Sequence, residues 1–291
     1  MADEWTIGRL LQWTADYLKQ HGSGSPRLEA EVLLAHARGC GRVELYTGFG
    51  EPADETLRTK FRALVKRRAE GVPVAYLVGH REFYSLLFRV TPGVLIPRPE
   101  TEFLVITLLD LMKGYGPIDR PVDVADVGTG SGVIAVCVAR HAPRARLTAI
   151  DVSRPALVVA RDNARRLEVA QRIEFVESDL FATIPRERQF DFVASNPPYV
   201  TSEEFAALPP EVRAHEPEIA LVAGASGTAL IERLIPQAAE RLRPGGSLLL
   251  EISPMVQQRV ETLIEADERF EPGGTVKDLA GLPRVVQARR R

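Results

Sequence analysis

The chain has 291 residues, 45% apolar and 26% charged, a balance that fits a globular protein and excludes collagen-like, disulfide-stapled and largely disordered classes. Its 37 Lys and Arg stand against 39 Asp and Glu, so the formal net charge of -2 excludes a strongly basic nucleic-acid footprint. Cys40 and Cys137 cannot staple a fold, no targeting segment is expected from the acidic opening residues, and no run of ~18 apolar residues is present. A reduced, cytoplasmic protein is expected.

The first seventy or so residues carry helical periodicity. Ile7, Leu10, Leu11, Thr14 and Leu18 share one face, and Gly22 stops the run. Ser25 stands as an N-cap before Pro26, and Leu28, Val32, Leu33 and Leu34 lead to Gly39. A third helix is predicted from about Asp54 to Glu70, with Leu57, Phe61, Leu64 and Val65 turned inward. Lys66, Arg67 and Arg68 read as its solvated side. In the segment 74–97 the period becomes that of strands, with Phe83, Tyr84, Leu86, Phe88 and Val90 before the turn Thr91-Pro92-Gly93, and it reads as a β-hairpin linker. From residue 98 onward strands are predicted at 122–127, 147–151, 173–177, 190–195, 247–252 and 284–288. Helices are predicted near 100–112, 132–140, 154–167, 227–242 and 255–266, so this part is α/β with a parallel sheet. The domains expected are therefore 1–73, all-α, and 98–291, α/β, joined by the hairpin 74–97.

Asp126-Val127-Gly128-Thr129-Gly130-Ser131-Gly132 follows a predicted strand and opens a predicted helix. Glycines there permit positive φ and let a ligand reach the backbone. The dinucleotide fingerprint needs Gly or Ala at position 133, where Val133 stands. Asp151 ends the next strand, placed to take both ribose hydroxyls of an adenosine, which suits NAD and S-adenosylmethionine equally and argues against NADP. Asp179 follows the third strand and can accept from an adenine amino group, with Leu180 as an apolar wall.

The fourth strand runs into Asn196-Pro197-Pro198-Tyr199. Two prolines hold the chain extended, so the Asn196 side-chain oxygen and the Pro197 carbonyl can converge as paired acceptors for a planar –NH2 group. Accepting both hydrogens raises electron density on a nitrogen that is otherwise a poor nucleophile and aims its lone pair. Tyr199 would pack on the flat group and exclude water. His21, His36, His80, His141 and His215 show no metal-ligand spacing, so no metal is expected.

These motifs together resemble the amino-group methyltransferases that use S-adenosylmethionine. Pro73-Val74-Ala75-Tyr76, Gly79, Phe83-Tyr84 and the run Val94-Leu95-Ile96-Pro97-Arg98-Pro99-Glu100-Thr101-Glu102 narrow the resemblance to the release-factor glutamine methyltransferases, the HemK/PrmC family. Glu216-Pro217, Ala220-Leu221, Gly224, Gly227, Pro244-Gly245-Gly246 and Lys277-Asp278-Leu279-Ala280-Gly281 extend it over nearly the whole chain. The resemblance implies a Rossmann-like, seven-stranded class I methyltransferase sheet with one antiparallel strand in its last pair, and a small helical domain that grips the protein substrate. It implies methyl transfer from S-adenosylmethionine to the side-chain N5 of the glutamine in the Gly-Gly-Gln loop of class I peptide chain release factors. On this chain Gly128, Thr129, Gly130, Ser131 and Gly132 would cradle the methionine part of the cofactor and Asp151 the ribose. Asp179 and Leu180 would face the adenine, Asn196, Pro197, Pro198 and Tyr199 would hold the target amide, and the segment 98–101 would close over the cofactor. Some members carry an aromatic residue where Leu180 stands, which leaves Phe181 as the alternative stacking partner.

Two rivals share the paired-acceptor logic: a ribosomal-protein glutamine methyltransferase, and a DNA or RNA adenine N6 methyltransferase. The net charge and the lack of a basic, aromatic strip weigh against nucleic acid, and Arg289-Arg290-Arg291 is too short to alter that. A cofactor-binding module without turnover is opposed by the intact Asn196 and glycine loop, and an NAD-dependent dehydrogenase by Val133.

Overall fold

A computed structural model describes residues 5–117 and 119–291; residues 1–4 and Ile118, which fall within the two domains expected above, lie outside the described residues. In chain order the first elements are α1 (Ile7–Gln20), α2 (Pro26–Arg38), α3 (Arg42–Thr47), α4 (Glu55–Ala69), α5 (Val74–Val78), β1 (His80–Phe83), β2 (Leu86–Arg89), α6 (Thr101–Lys113), β3 (Val122–Val127) and α7 (Val133–His141). There follow β4 (Ala145–Asp151), α8 (Arg154–Arg166), β5 (Ile173–Glu177), β6 (Phe190–Ser195), α9 (Ser202–Ala207), α10 (Pro210–His215), α11 (Ala229–Arg241), β7 (Leu242–Glu251), α12 (Gln257–Glu265), β8 (Phe270–Lys277) and β9 (Pro283–Arg290). The chain forms two compact units: one runs to His80 and includes Pro209–His215, the other comprises Arg81–Leu208 and Glu216–Arg291.

The first unit is helical. Thr6 caps α1 by accepting from the Arg9 N–H at 3.3 Å, and Ile7, Leu10, Leu11, Thr14 and Leu18 are buried, the face the spacing predicts. Ser25 occupies the N-cap position of α2, but its hydroxyl makes no capping bond; Pro26 and the left-handed Gly39 set the ends instead. The solvated reading of α4 fails at Arg68. Its side chain is only 9% exposed and pairs with Glu29 at 2.8 Å and with Glu211 of α10 at 2.8 Å. A second difference is α5, which occupies 74–78 where a strand period is predicted; Val74-Ala75-Tyr76-Leu77-Val78 is too short to display a helical period, and Leu77 and Val78 are buried in the helical core. The unit thus runs past residue 73.

The second unit is built on a seven-stranded sheet in the order β5-β4-β3-β6-β7-β9-β8. Its first five strands are parallel, and β9 is antiparallel to both β7 and β8. Alternate residues of each strand enter opposite faces, as a sheet buried on both sides requires. Val122 and Val124 of β3 pack with Leu104 and Leu108 of α6 and Ile134 of α7, whereas Ala125 and Val127 pack with Ile231 and Ile235 of α11 and Val260 of α12.

Two predicted segments differ, and one strand is not predicted. The strand pair β1–β2 is a short hairpin turned by Tyr84 and Ser85, both at positive φ, and residues 90–99 are not strand. Nor is the hairpin a free linker: Phe83 and Phe88 are buried in the sheet unit's core, and Asn163 holds Arg89 by two bonds of 2.7 and 3.0 Å. Strand β7 begins at Leu242 rather than 247 because the Pro244-Gly245-Gly246 turn is absorbed as a register shift between Phe190 and Phe192. The edge strand β8, not among the predicted strands, carries Pro272-Gly273-Gly274; an edge with a register shift between Pro272 and Thr275 tolerates it.

Candidate active site

The parallel strands deliver their carboxyl ends to one crevice, where such sheets bind ligands. A cavity of about 480 Å³ lies there, lined by the loops after β3, β4, β5 and β6, by residues between Gly93 and Thr101, and by residues between Pro217 and Arg233.

Of the residues expected at the site, Gly128, Thr129, Gly130, Ser131, Asp151, Asp179, Leu180, Asn196 and Pro198 line the cavity. The glycine loop can turn so tightly because Gly128 and Gly130 take φ of +77 and +55. Its amides are held by the neighbouring strand: the Gly128 and Thr129 N–H groups both donate to the Ile150 carbonyl, at 2.8 and 2.9 Å. Asp151 braces the other side, one carboxylate oxygen accepting from Gly130 N–H and the second from Ser153 N–H, each at 2.8 Å. Burial raises its pKa above the ordinary carboxylate range, and these amides pull it back. Each oxygen keeps a lone pair for a further donor.

Gly132 does not line the cavity. It sits at φ +84 at the start of α7, where a Cβ would lie 3.1 Å from the Ala160 Cβ, so its role is to let α7 pack on α8. Beneath the loop lies Asp126, fully buried, with one carboxyl oxygen accepting from the Thr129 hydroxyl at 2.6 Å and the Ala135 N–H at 3.0 Å. Its other oxygen has no partner, and burial pushes its pKa up to about 7.

After β5, Asp179 is half exposed and pairs with Arg233 at 2.6 Å. Leu180 takes the left-handed conformation at φ +49, which turns it into the cavity wall. Phe181 points the other way, into the core against Phe190 at 6.0 Å between ring centroids, so the apolar wall is Leu180.

After β6, the Asn196 Nδ2 donates to the Thr101 hydroxyl at 3.0 Å, which turns Oδ1 the opposite way. Pro197 is buried behind it and does not line the cavity. Tyr199 also stands back from the lining, half-buried against the α11–α12 face of the sheet; burial, and then the nearby Glu251 charge, raise its pKa. In the segment over the cavity, Arg98 donates to the buried Glu216 carboxylate at 2.6 Å, and Glu216 also accepts from the Ile96 N–H at 3.1 Å.

Two groups at the site carry no clear sequence signal of their role. Glu216 is one; Glu251, at the end of β7 and 1% exposed, is the other, marked only as an acid closing the apolar run Leu248-Leu249-Leu250. Among the described residues no group of three or more His, Cys, Asp or Glu could hold a metal ion, and no helix is long and apolar enough to cross a membrane.

A sheet of this order, with a glycine loop after β3 and an acid after β4, defines a methyltransferase fold. The 16S rRNA N2 G1207 methyltransferase of T. thermophilus, solved with AdoMet and guanosine, shares it with a TM-score of 0.53 at 19% identity, over 73% of this chain and 50% of that one. A methyltransferase of Pyrococcus furiosus does so at 0.50 and 17%, over 71% and 89%. The PrmC N-terminal domain family matches residues 9–79 and the methyltransferase small domain family residues 101–208. The release factor glutamine methyltransferase of Rhodopirellula baltica is 47% identical over 98% of this chain and 97% of its own length. That of Koribacter versatilis is 40% identical over 98% and 99%. The chain belongs to the release factor glutamine methyltransferase family.

Proposed function

We propose that the protein methylates the side-chain N5 of the glutamine in the Gly-Gly-Gln loop of class I release factors, with S-adenosylmethionine as donor, and that it acts in the cytoplasm, where such factors work. The observation that carries the chemistry is the Asn196 amide, fixed through Nδ2 on Thr101, in the same cavity as the glycine loop and Asp151. Family membership, with the PrmC-type amino-terminal domain, carries the choice of a protein glutamine over an adenine.

The residues present suit the cofactor. Asp151 has a free lone pair on each oxygen for the ribose hydroxyls, Leu180 offers an apolar face for the adenine, and the turn at Gly128 and Gly130 leaves backbone exposed for the methionine part. When bound, S-adenosylmethionine supplies an electrophilic methyl group on a sulfonium. The chain's own task is to present the nucleophile. Asn196 Oδ1, in the lining, accepts one amide hydrogen and the Pro197 carbonyl, reached only past that lining, the other, which raises electron density on nitrogen and aims its lone pair. Pro198, next to Asn196 in the lining, covers the group and keeps water out, whereas Tyr199 backs the turn from the core side. No base is needed beforehand, because an alkylated carboxamide nitrogen loses its proton readily; among the described residues the cavity lining contains no His, Cys or Lys.

The test is incubation with methyl-labelled S-adenosylmethionine and a class I release factor, beside the same factor with its Gly-Gly-Gln glutamine replaced. Label on the first alone is expected. Label on neither, with cofactor bound, overturns the substrate assignment; label on both overturns the target atom.

A further inference from the structure

Leu250 of β7 pairs with Ser195 of β6, so Glu251 and Asn196 leave neighbouring parallel strands side by side. The Glu251 side chain is buried, and neither carboxyl oxygen makes a hydrogen bond. A buried carboxyl without partners is costly, and Leu or Met in its place would cost the fold less. Its surroundings indicate why it is there. The Thr101 hydroxyl from α6 and the Asn196 amide act on its charge as hydrogen-bonding neighbours that stop short of formed bonds in this conformation. Glu100 and Arg284 are the charged groups around it, and Arg284 is committed to Asp278 at 2.8 Å and Glu100 at 3.9 Å.

The consequence falls on Asn196. An Asn amide is nearly symmetric in shape, and only its partners decide which end is the acceptor. Flipped, it would present a donor to an –NH2 group, which has two donors of its own. Thr101 Oγ1 already accepts from Asn196 Nδ2 at 3.0 Å, so the Thr101 hydroxyl hydrogen is left to be donated, and the Glu251 carboxyl is the acceptor beside it.

We propose that Glu251 is a positioning residue for Asn196: its carboxyl receives the Thr101 hydroxyl and the second Nδ2 hydrogen, which locks Oδ1 toward the target nitrogen. This rests on the reading that Asn196 takes the target amide. Glu251 touches neither substrate nor cofactor; it removes the wrong rotamer of a group that does.

The experiment compares Glu251→Met, Glu251→Gln, Thr101→Val and the Glu251→Met/Thr101→Val double variant with wild type. It reads kcat and KM for release-factor methylation, Kd for S-adenosylmethionine by calorimetry, and Tm. Wild type that labels no release factor refutes the functional reading, not this one. Glu251→Met is expected to hold or raise Tm and keep cofactor Kd, while kcat falls on the order of tenfold to a hundredfold, the scale of a misplaced positioning group. Glu251→Gln, whose Oε1 still accepts, recovers to within about fivefold of wild type. Thr101→Val falls like Glu251→Met, and the double variant is no slower than the slower single one, because both act through one chain of bonds. Wild-type kcat in Glu251→Met, a Gln variant as slow as the Met variant, or fully additive losses would each overturn the proposal. Should Glu251→Met not fold, wild-type kcat in Thr101→Val overturns it alone.

Discussion

Asp151→Asn separates two duties that one carboxylate performs. Its two oxygens accept from the Gly130 and Ser153 amides at 2.8 Å each, and an Asn side chain has one oxygen for both. One backbone N–H must then face an NH2 group, and an orphaned, mostly buried donor costs about 1–3 kcal/mol. That loss is present with or without cofactor, so it falls on stability, and at about 2–4 °C per kcal/mol Tm should drop by several degrees. Affinity loses separately. One ribose hydroxyl forfeits a charge-assisted bond worth about 1.5–3 kcal/mol, which is roughly tenfold to a hundredfold in Kd. Calorimetric titration with S-adenosylmethionine reads the second effect and thermal unfolding the first. Burial raises the Asp151 pKa, so wild-type affinity should weaken on acidification at a higher pH than for an ordinary aspartate, and the Asn variant should lose that slope. An Asn variant with wild-type Kd and an unchanged pH profile would refute the assignment of Asp151 to the ribose.

Other outcomes follow from the same geometry. Asn196→Ala should lower kcat on the order of a hundredfold or more while cofactor Kd stays near wild type; normal turnover in a methylation assay would remove the paired-acceptor mechanism. Arg68→Met leaves Glu29 and Glu211 unpaired and should cost about 2 kcal/mol in urea unfolding, between the limits for exposed and buried pairs. The Asp126 pKa is raised from 3.8 to about 7, so the folded protein holds a proton there that the unfolded chain gives up. That contribution to stability is greatest on the acid side and falls as pH rises from about 4 through 7. Asp126→Asn, which keeps an oxygen for Thr129 and Ala135, should flatten that slope and gain stability above pH 7; a slope unchanged in urea melts at pH 5 and 8 would contradict it.

Much of the sheet was legible because its strands obey local rules. The predicted strands at 122–127, 173–177 and 190–195 coincide with β3, β5 and β6, and the buried residues of β3 and β6 are divided between the two faces. Where local pattern and tertiary context disagree, sequence fails in both directions. Phe270–Lys277 holds Pro and two glycines yet pairs as an edge strand, and Val74–Val78 is β-prone yet closes as a helical turn between Pro73 and Gly79. At the site, the motif residues are legible because backbone chemistry demands their types: glycine at positive φ, and an acid where a strand ends beside amides. Gly132 is an instance of a motif residue whose demand comes from packing on Ala160 instead. Arg68, Glu216 and Glu251 were opaque for one reason. Each owes its place to partners far along the chain, Arg68 to Glu211, Glu216 to Arg98, and Glu251 to Asn196 and Thr101, and no short window holds both members.

The helical unit is assembled from two stretches of chain, one ending at His80 and one of seven residues, Pro209–His215, made only after β6 and the Asn196 turn. Synthesis runs from the amino terminus, and domains ordinarily fold in that order. Here the first unit cannot be finished first. Arg68 waits for Glu211 until more than a hundred further residues have left the ribosome, most of the parallel sheet among them. The two units are therefore coupled in time as well as in sequence, and a fragment stopped at residue 80 lacks a piece of its own fold.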